Sequence, residues 1–200
     1  MMTLPSSVVT RRHLTARLSA FGLASLSLPR LADAQTLPAT PACEAPASRT
    51  QSQTEGPYFT PSSPLKRDLR GDGPGDALVL SGFVLTRHCQ PLRGALVDLW
   101  HADTGGQYDI AGYRFRGHQF TDAQGRYQFI TRIPGLYPGR TRHFHVKVQA
   151  GKRAVLTTQL YFPDERAANQ RDFIFRENLL MQVTGAAGGQ VGRFDFVLAD

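Results

Sequence analysis

The sequence has few of the residues and runs that mark several common classes of protein. Its 200 residues include two cysteines, one tryptophan and three methionines, and no run of five or more basic residues occurs. The net charge is +7, but the first 34 residues carry +3 of it, which leaves +4 for the remainder. Because those charges are scattered, they do not indicate a nucleic-acid partner. No GxGxxG or P-loop pattern occurs, which agrees with a protein that needs neither nucleotide nor flavin.

The N-terminal residues contain an apolar stretch, Leu18–Leu28, that is about half of the roughly 20 residues needed to span a bilayer. The pair Arg11 and Arg12 precedes it, and a small-x-small pattern at 32–34 follows it. This is the order of a twin-arginine export signal with its cleavage site. We therefore predict a signal over residues 1–34, use of the twin-arginine (Tat) export machinery, and a periplasmic or extracellular protein with no membrane anchor after cleavage. An amphipathic N-terminal helix with a chance arginine pair is the alternative.

The segment after the predicted signal is of low complexity. Residues 35–57 are rich in Ala, Pro, Thr, Ser and Gln and show no helical or strand periodicity, which indicates a tether or an arm over the core. Cys43 lies in this arm, and Cys89 lies in a predicted turn. Either they pair, or they are two unrelated small buried residues. An even number in a compartment that permits disulfides favours a Cys43–Cys89 bond, which we predict.

Short β-rich stretches, each bounded by turn residues, fill much of the remaining chain. The predicted strands are Ala77–Thr86, Gly94–His101, Gly125–Ile133, His143–Gln149, Ala154–Phe162 and Arg193–Leu198. Helix-compatible sequence occurs only in Asp164–Leu180. The pattern predicts one all-β domain over residues 58–200, an antiparallel β-sandwich with the N-terminal arm attached and its site residues on loops.

The most informative local pattern is His143-x-His145. Side chains alternate along a strand, so both imidazoles point to one face while Phe144 and Val146 point to the other. Two imidazoles in one space suit a shared Zn, Cu, Fe or Ni ion. Taken alone, the pair could equally be two surface or hydrogen-bonded histidines.

The further ligands that such a metal needs are not obvious carboxylates. No Asp or Glu lies between Asp122 and Asp164, which disfavours a site of two histidines and one carboxylate near this pair. The other histidines occur without a metal-binding motif. Two tyrosines remain: Tyr137 lies in a Pro- and Gly-rich loop six residues before His143, and Tyr108 ends a glycine-containing stretch.

Several segments together resemble the intradiol ring-cleavage dioxygenases, the family of catechol 1,2-dioxygenase and protocatechuate 3,4-dioxygenase. In chain order, the matching segments are Thr54–Phe59, Pro91–Asp103, Gly106–Tyr108, Thr121–Phe129, Pro134–Tyr137, His143-x-His145 and Thr158–Phe162. The resemblance runs from about Thr54 to Asp200. Co-occurrence of these elements in order is far more specific than any one of them.

The resemblance implies a non-haem ferric ion, Fe(III), bound by Tyr108, Tyr137, His143 and His145, with a solvent-derived hydroxide in a fifth position. Ferric iron favours anionic oxygen, and its charge would keep both phenols ionised below their usual pKa. The implied reaction opens a catechol-type ring between its two hydroxyl-bearing carbons with O2 and gives a cis,cis-muconate-type diacid.

The resemblance also implies roles for other residues. Tyr137 would be displaced by the substrate and accept a proton, and Arg140 would stabilise negative charge on a ring carbon, with Gln159 helping to orient it. Strand alternation alone does not choose between Arg140 and Arg142. The ring pocket would be lined by Tyr58, Phe59 and, unless it belongs to the core, Trp100.

Some features depart from the family pattern. His101 stands where relatives commonly carry Gln, the chain between Tyr137 and His143 is short, and no helical dimerisation region precedes Thr54. The chain thus resembles a compact, exported branch whose particular substrate the sequence does not identify. Two alternatives stay open: a non-catalytic transthyretin-like β-sandwich, or a periplasmic copper or zinc carrier that adds His101 or His118 to the histidine pair.

Overall fold

A computed structural model describes residues 43–199, so the predicted export signal lies outside the described residues. The strands are β1 (Ala77–Thr86), β2 (Leu96–Trp100), β3 (Arg116–Phe120), β4 (Arg126–Arg132), β5 (His143–Gln149), β6 (Leu156–Tyr161), β7 (Gln182–Ala186), β8 (Gly189–Arg193) and β9 (Phe196–Leu198). One short helix, α1 (Arg166–Arg171), and single 3-10 turns at Arg70–Asp72 and Glu177–Leu179 complete the described elements. Within residues 43–199 no helix is both long and apolar enough to span a membrane.

The strands form two sheets, which confirms the predicted β-sandwich. The four-stranded sheet has the order β3-β2-β5-β6 and is antiparallel throughout. The five-stranded sheet has the order β4-β1-β8-β7, and β9 pairs with the end of β1. Here the sequence-based expectation was incomplete, because β8 and β9 both run parallel to β1. The β7–β8 hairpin reverses the chain, so that β8 returns in the direction of β1.

The core lies between the sheets and is made of alternate residues of their strands. From the four-stranded sheet, Phe144, Val146 and Val148 of β5 are almost completely buried. From the five-stranded sheet, Leu78 and Leu80 of β1 join the same apolar cluster. Removal of these side chains from water drives the sheets together, and it leaves the opposite residues of β5 on the outer face.

The sequence did not predict β3, β7 or β8, and the helical part of Asp164–Leu180 is much shorter than the compatible stretch. The predicted strand Arg193–Leu198 is also interrupted, since β8 ends at Arg193 and β9 begins at Phe196. The interruption follows from a close backbone approach: a Cβ on Gly82 would lie 1.8 Å from the Phe194 carbonyl oxygen. Only glycine on β1 leaves room for this bend.

The N-terminal described residues run along the edges of the sandwich. The predicted Cys43–Cys89 disulfide is confirmed. Beyond it, the Thr50 N–H donates to the Val197 carbonyl of β9, and the Gln53 N–H donates to the Thr157 carbonyl of β6. These bonds satisfy backbone groups that an open sheet edge would otherwise expose. The boundary predicted at residue 57 stays a prediction.

The chain then crosses the outer face of the four-stranded sheet. Gln53 is bonded to β6 at one edge, whereas the Lys66 N–H donates to the His118 carbonyl of β3 at the other edge. Residues 54–63 therefore span the face between them, and we call them the crossing segment. This segment covers the outward-pointing residues of β5, where the site lies.

Candidate metal centre

The candidate site lies on the outer face of the four-stranded sheet, at the end where β2 and β6 finish and β5 begins. His145 of β5 is paired in register with Trp100 of β2 and with Gln159 of β6, and His143 is paired with Tyr161. Residues directly opposite one another share a face of a sheet. The strand register therefore brings five polar or aromatic side chains together beneath the crossing segment.

The two histidines are buried and neutral, with Nε2 of each directed into the site. The Nδ1 of His143 donates to the Thr141 carbonyl at 2.6 Å, which leaves the Nε2 of His143 as a lone-pair donor. The ring of His145 stacks on Trp100, with 4.9 Å between centroids and 10° between planes. Burial lowers the pKa of His143 to about 4 and the pKa of His145 well below its usual value. Neutral imidazole is the form that binds a metal.

The hydroxyl of Tyr108 completes a triangle with the histidines. Its oxygen lies 3.1 Å from the Nε2 of His143 and 3.0 Å from the Nε2 of His145, and the two nitrogens are 3.2 Å apart. Ligands at right angles on a metal with bonds of about 2.1 Å are separated by about 3 Å. Three lone-pair donors at this separation suit binding to one metal ion. They suit mutual hydrogen bonding less well, because three hydrogen bonds would need three protons and these atoms carry fewer.

Tyr137 lies beside this triangle, but its hydroxyl contacts another residue. The ring of Tyr137 is edge-on to the ring of Tyr108 at 5.8 Å, and its hydroxyl is 2.9 Å from the hydroxyl of Tyr58. Tyr58 in turn stacks on Tyr108, with 4.6 Å between centroids. Three tyrosine rings thus form one cluster over the histidine pair.

The phenol of Tyr108 would not ionise unaided. Burial raises the pKa of Tyr108 above its usual range, and the charge of Arg140 opposes that rise. A buried phenol becomes a phenolate when a cation lies close to it. The donor set of two neutral imidazoles and phenol oxygen therefore fits a hard, highly charged metal ion such as Fe(III).

Arg140, and not Arg142, points to the site. One Nη of Arg140 donates to the Gln159 Oε1 at 2.7 Å, and its Nε donates to the fully buried Asp172 carboxylate at 2.8 Å. Arg142 instead donates to Glu165 and to a loop carbonyl. Gln159 is held on its other side by the Thr54 carbonyl of the crossing segment. The pair Arg140 and Gln159 is therefore positioned as one unit.

Phe59, predicted to line the pocket, lies one layer behind it. The ring centroids of Phe59 and Trp100 are 4.9 Å apart. The Lys147 ammonium lies 3.8 Å from the centroid of the Phe59 ring and also pairs with Glu55. Trp100 is buried, but it lies on the outer face of the sheet against His145 and does not belong to the apolar cluster between the sheets, so the core alternative does not describe it. Gly56 touches the site more closely, because a Cβ there would lie 3.3 Å from the Cε1 of His145, and its φ of +73° also favours glycine.

Sequence reasoning missed the residues that hold the chain before β5. Asp172 accepts the Thr141 N–H at 3.0 Å as well as the Nε of Arg140. The Thr141 hydroxyl donates to the Asn169 Oδ1 at 2.6 Å. These partners lie in the region that was predicted only as helix-compatible, and no motif there signals a role beside the site.

The two further histidines of the carrier alternative are engaged elsewhere. His101 has both ring nitrogens hydrogen-bonded, to Thr131 and to the Ala102 carbonyl, and His118 bonds to the Ser63 carbonyl. In the described part of the chain, no group of three or more His, Cys, Asp or Glu side chains is placed to hold a metal. A metal ion bound by the histidine pair would therefore need tyrosine oxygen among its ligands.

Comparison with known proteins identifies the family of this fold and site. The Dioxygenase family model matches residues 54–199, and the relatives that match this chain include a chlorocatechol 1,2-dioxygenase of Pseudomonas sp. (strain P51). This chain belongs to the intradiol ring-cleavage dioxygenase family. Its identity with the Pseudomonas enzyme is 29% over 177 residues, which are 72% of this chain and 68% of that enzyme.

Other members of the intradiol dioxygenase family match as well. The protocatechuate 3,4-dioxygenase beta chain of Burkholderia cepacia is 34% identical over 128 residues, covering 51% of this chain and 54% of that one. The solved dioxygenase domain of a dioxygenase and carbohydrate-binding fusion protein from Streptomyces sp. SirexAA-E is 55% identical, with a TM-score of 0.73. That match covers 76% of this chain and 99% of the solved domain. This chain spans 50% to 58% of most of the longer relatives that it matches.

Proposed function

We propose that this protein opens catechol-type aromatic diols between their two hydroxyl-bearing carbons, using O2 and a non-haem Fe(III) ion. The observation that carries the proposal is the triangle of His143, His145 and Tyr108, whose three donor atoms lie 3.0 to 3.2 Å apart. The relatives' names support a catechol-type substrate, since they are chlorocatechol and protocatechuate dioxygenases. We propose that Tyr137, beside the triangle, is the fourth protein ligand.

Bound to these residues, Fe(III) would act as a Lewis acid that holds the diol oxygens as anions and makes the aromatic ring reactive towards O2. The protein supplies neutral imidazoles on one side and phenol oxygens on the other. Burial keeps His143 and His145 neutral, so they donate lone pairs at neutral pH. Tyr58 and Gly56 of the crossing segment lie directly against Tyr108 and His145 and so cover part of the site.

The diol must lose two protons: the solvent-derived hydroxide would accept one, and Tyr137 is placed to accept the other. Its Oη is already in a hydrogen bond with the Oη of Tyr58. A proton that arrives at the Tyr137 Oη can stay there, because the neutral phenol keeps this bond to Tyr58. Tyr137 would thus serve as a ligand in the resting protein and as a proton acceptor when substrate binds.

Arg140 supplies fixed positive charge next to the reacting ring. Attack by O2 requires negative charge to build on a ring carbon, and a guanidinium stays charged at any working pH. Asp172 and Gln159 hold two edges of the guanidinium, which fixes its direction before the reaction begins. Preorganised charge of this kind stabilises a transition state without reorganisation.

The overall reaction balances without a reductant. One ring carbon–carbon bond breaks, both atoms of O2 enter the product, and the two former hydroxyl-bearing carbons become carboxyl groups. The product is a cis,cis-muconate-type diacid.

We also propose that the protein is exported through the Tat machinery and works in the periplasm or outside the cell. Arg11 and Arg12 ahead of the apolar stretch support this proposal. A Cys43–Cys89 disulfide also suits an oxidising compartment.

The visible spectrum of the iron-loaded protein, followed by a catechol titration, tests the proposed reaction. We expect a tyrosinate-to-iron absorption band that shifts when catechol is added, and an ultraviolet-absorbing muconate formed with O2 and without NADH. A yellow semialdehyde would instead indicate cleavage of the bond between one hydroxyl-bearing carbon and the ring carbon next to the diol. A colourless protein that binds copper or zinc in stoichiometric amount would contradict the proposal and favour a metal carrier.

A further inference from the structure

Arg116, the first residue of β3, is a buried arginine that has no role in the reaction proposed above. It is 2% exposed. Across residues 43–199 no carboxylate forms an ion pair with it, and its Nη1 is buried without a hydrogen-bond partner. A buried guanidinium without a counter-charge costs free energy. The surroundings of Arg116 should therefore contain groups that offset this cost.

The other two nitrogens of Arg116 bind Asp109, the residue that follows Tyr108 in the chain. Its Nε and Nη2 both donate to the Asp109 carbonyl oxygen, at 3.2 and 2.7 Å. The Asp109 carboxylate in turn accepts the backbone N–H groups of Ala111, Gly112 and Arg114. The loop that carries Tyr108 is therefore closed on itself by the side chain of Asp109 and anchored to β3 through its carbonyl.

The backbone before Arg116 is shaped for this contact. Phe115 has a φ of +52°, a left-handed conformation that a bulky residue rarely adopts. The Phe115 N–H is held by the Asp72 carboxylate at 2.8 Å, and its carbonyl accepts the His101 N–H. Strained conformations of this kind persist where the surroundings determine them, often beside functional sites.

We propose that Arg116 is a positioning residue for Tyr108, which places the phenol oxygen against the histidine pair and provides a fixed positive charge beside it. The inference rests on the proposed function, because it takes Tyr108 as a ligand of the iron. The two parallel donors of the guanidinium fix both the position and the direction of the Asp109 carbonyl, which a single donor would not do. A Tyr108 tyrosinate would add its negative charge to that of the nearby Asp109 carboxylate, and both would offset the buried charge of Arg116.

The test compares three variants in iron affinity, measured by chelator competition, and in the visible band. Arg116→Met removes the charge and both donors at similar volume, and Arg116→Lys keeps the charge with a compact donor. Arg126→Met is the matched control, because Arg126 is also a strand arginine with one buried unpartnered nitrogen, but on the other sheet. Circular dichroism and thermal melting report whether each variant folds.

We expect Arg116→Met to shift the visible band and to weaken iron binding by about 10- to 100-fold, the usual loss when a ligand's support is removed. Arg116→Lys should keep the band nearer its wild-type position and lose less affinity, and Arg126→Met should match wild type in both. Wild-type band and affinity in Arg116→Met, or the same loss in Arg126→Met, would overturn the inference.

Further outcomes test the role of Arg116 separately from the proposed function. If Arg116→Met does not fold, Arg116→Lys is decisive: weaker iron binding supports the inference, and unchanged iron binding overturns it. Wild-type protein that takes up no iron and shows no colour would overturn the proposed function, and the role of Arg116 with it. Coloured wild type with an unaffected Arg116→Met variant would overturn the role of Arg116 alone.

Discussion

The histidines and the tyrosines of the proposed centre are positioned in different ways. His143 and His145 lie on β5, whose backbone is bonded on both sides to β2 and β6. Tyr108 and Tyr137 lie on loops, outside the strand ladders. The histidine side is thus set by sheet register, whereas the tyrosine side depends on a small number of side-chain and backbone contacts.

This difference indicates where a distant substitution can affect the proposed metal centre. Many backbone bonds hold β5, so the loss of one neighbouring side chain leaves the direction of the imidazoles unchanged. The loop that carries Tyr108 lies outside this ladder and is anchored to β3 through the Asp109 carbonyl, so we expect it to move when that contact is lost. We therefore expect the tyrosine side to be the adjustable half of the site.

The largest expected effect is the loss of iron when a histidine is removed. His143→Ala and His145→Ala should fold, because the β5 ladder uses backbone atoms, but should bind iron more than about 100-fold more weakly. Iron content after gel filtration and the visible band measure this loss. His118→Ala, on β3 of the same sheet, is the control and should stay coloured. Wild-type iron content in both site variants would remove the histidines from the centre.

The second effect concerns turnover without loss of metal. Arg140→Ala should keep iron, colour and the catechol-induced spectral shift but lose roughly 10²- to 10³-fold in kcat, because a preorganised charge is removed. Arg142→Ala, whose side chain bonds Glu165 instead, should lose much less. Steady-state oxygen uptake distinguishes them. Equal and near-wild-type rates would exclude Arg140 from the mechanism, and greater damage from Arg142→Ala would transfer the role.

Within the tyrosine side, the contacts predict an order of effects on iron. Tyr108→Phe removes an oxygen that touches both histidines, so iron affinity should fall about 10- to 100-fold with a clear band shift. Tyr137→Phe removes a hydroxyl bonded to Tyr58, so the affinity loss should be smaller and the band should still shift. Tyr113→Phe, on the Tyr108 loop, should leave both unchanged. The reverse order for Tyr108 and Tyr137 would contradict this geometry.

Acid should destabilise the metal-free protein gradually. Burial lowers the pKa of His143 and His101 to about 4 in the folded protein, from an ordinary value of 6.5. The unfolded chain therefore binds more protons between about pH 6.5 and 4, and the free energy of unfolding falls as pH falls through that window. Each histidine contributes up to about 3 kcal/mol of this loss.

Thermal melting of the metal-free protein at a series of pH values measures the effect. The melting temperature should fall from neutral pH towards pH 4 and should fall less steeply in His101→Gln, which cannot titrate. An equally steep fall in that variant would show that His101 does not contribute.

The sequence predicted the histidine side better than the tyrosine side. Alternation in His143-Phe144-His145-Val146 is a local property of a strand, and the structure places the histidines and the apolar residues on opposite faces as expected. The strand β3 escaped prediction because Arg116-Gly117-His118-Gln119 has no alternating apolar pattern. Gly117 is there because the Lys66 carbonyl would meet a Cβ at 2.2 Å, which depends on a distant segment.

The supporting residues could not be predicted for a related reason. Asp172 is 32 residues from Arg140, and it binds a backbone N–H and a guanidinium rather than completing a motif. Alternation could not separate Arg140 from Arg142, because the preceding Pro138 and Gly139 place that chain in a turn. The family resemblance gives Gln159 as the partner of Arg140, whereas Glu165, the partner of Arg142, became visible only with the fold.

The crossing segment has a consequence for how the protein is made. Its downstream anchor is the bond from Lys66 to β3, and its upstream anchor is the bond from Gln53 to the Thr157 carbonyl of β6. During synthesis, the crossing segment thus lacks its upstream anchor until residues around Thr157 have left the ribosome. A chain that stops before β6 would carry all four proposed ligands but would leave the crossing segment untethered at that edge of the sheet. Completion of the proposed metal pocket therefore comes after the last of its ligands, His145, has been translated.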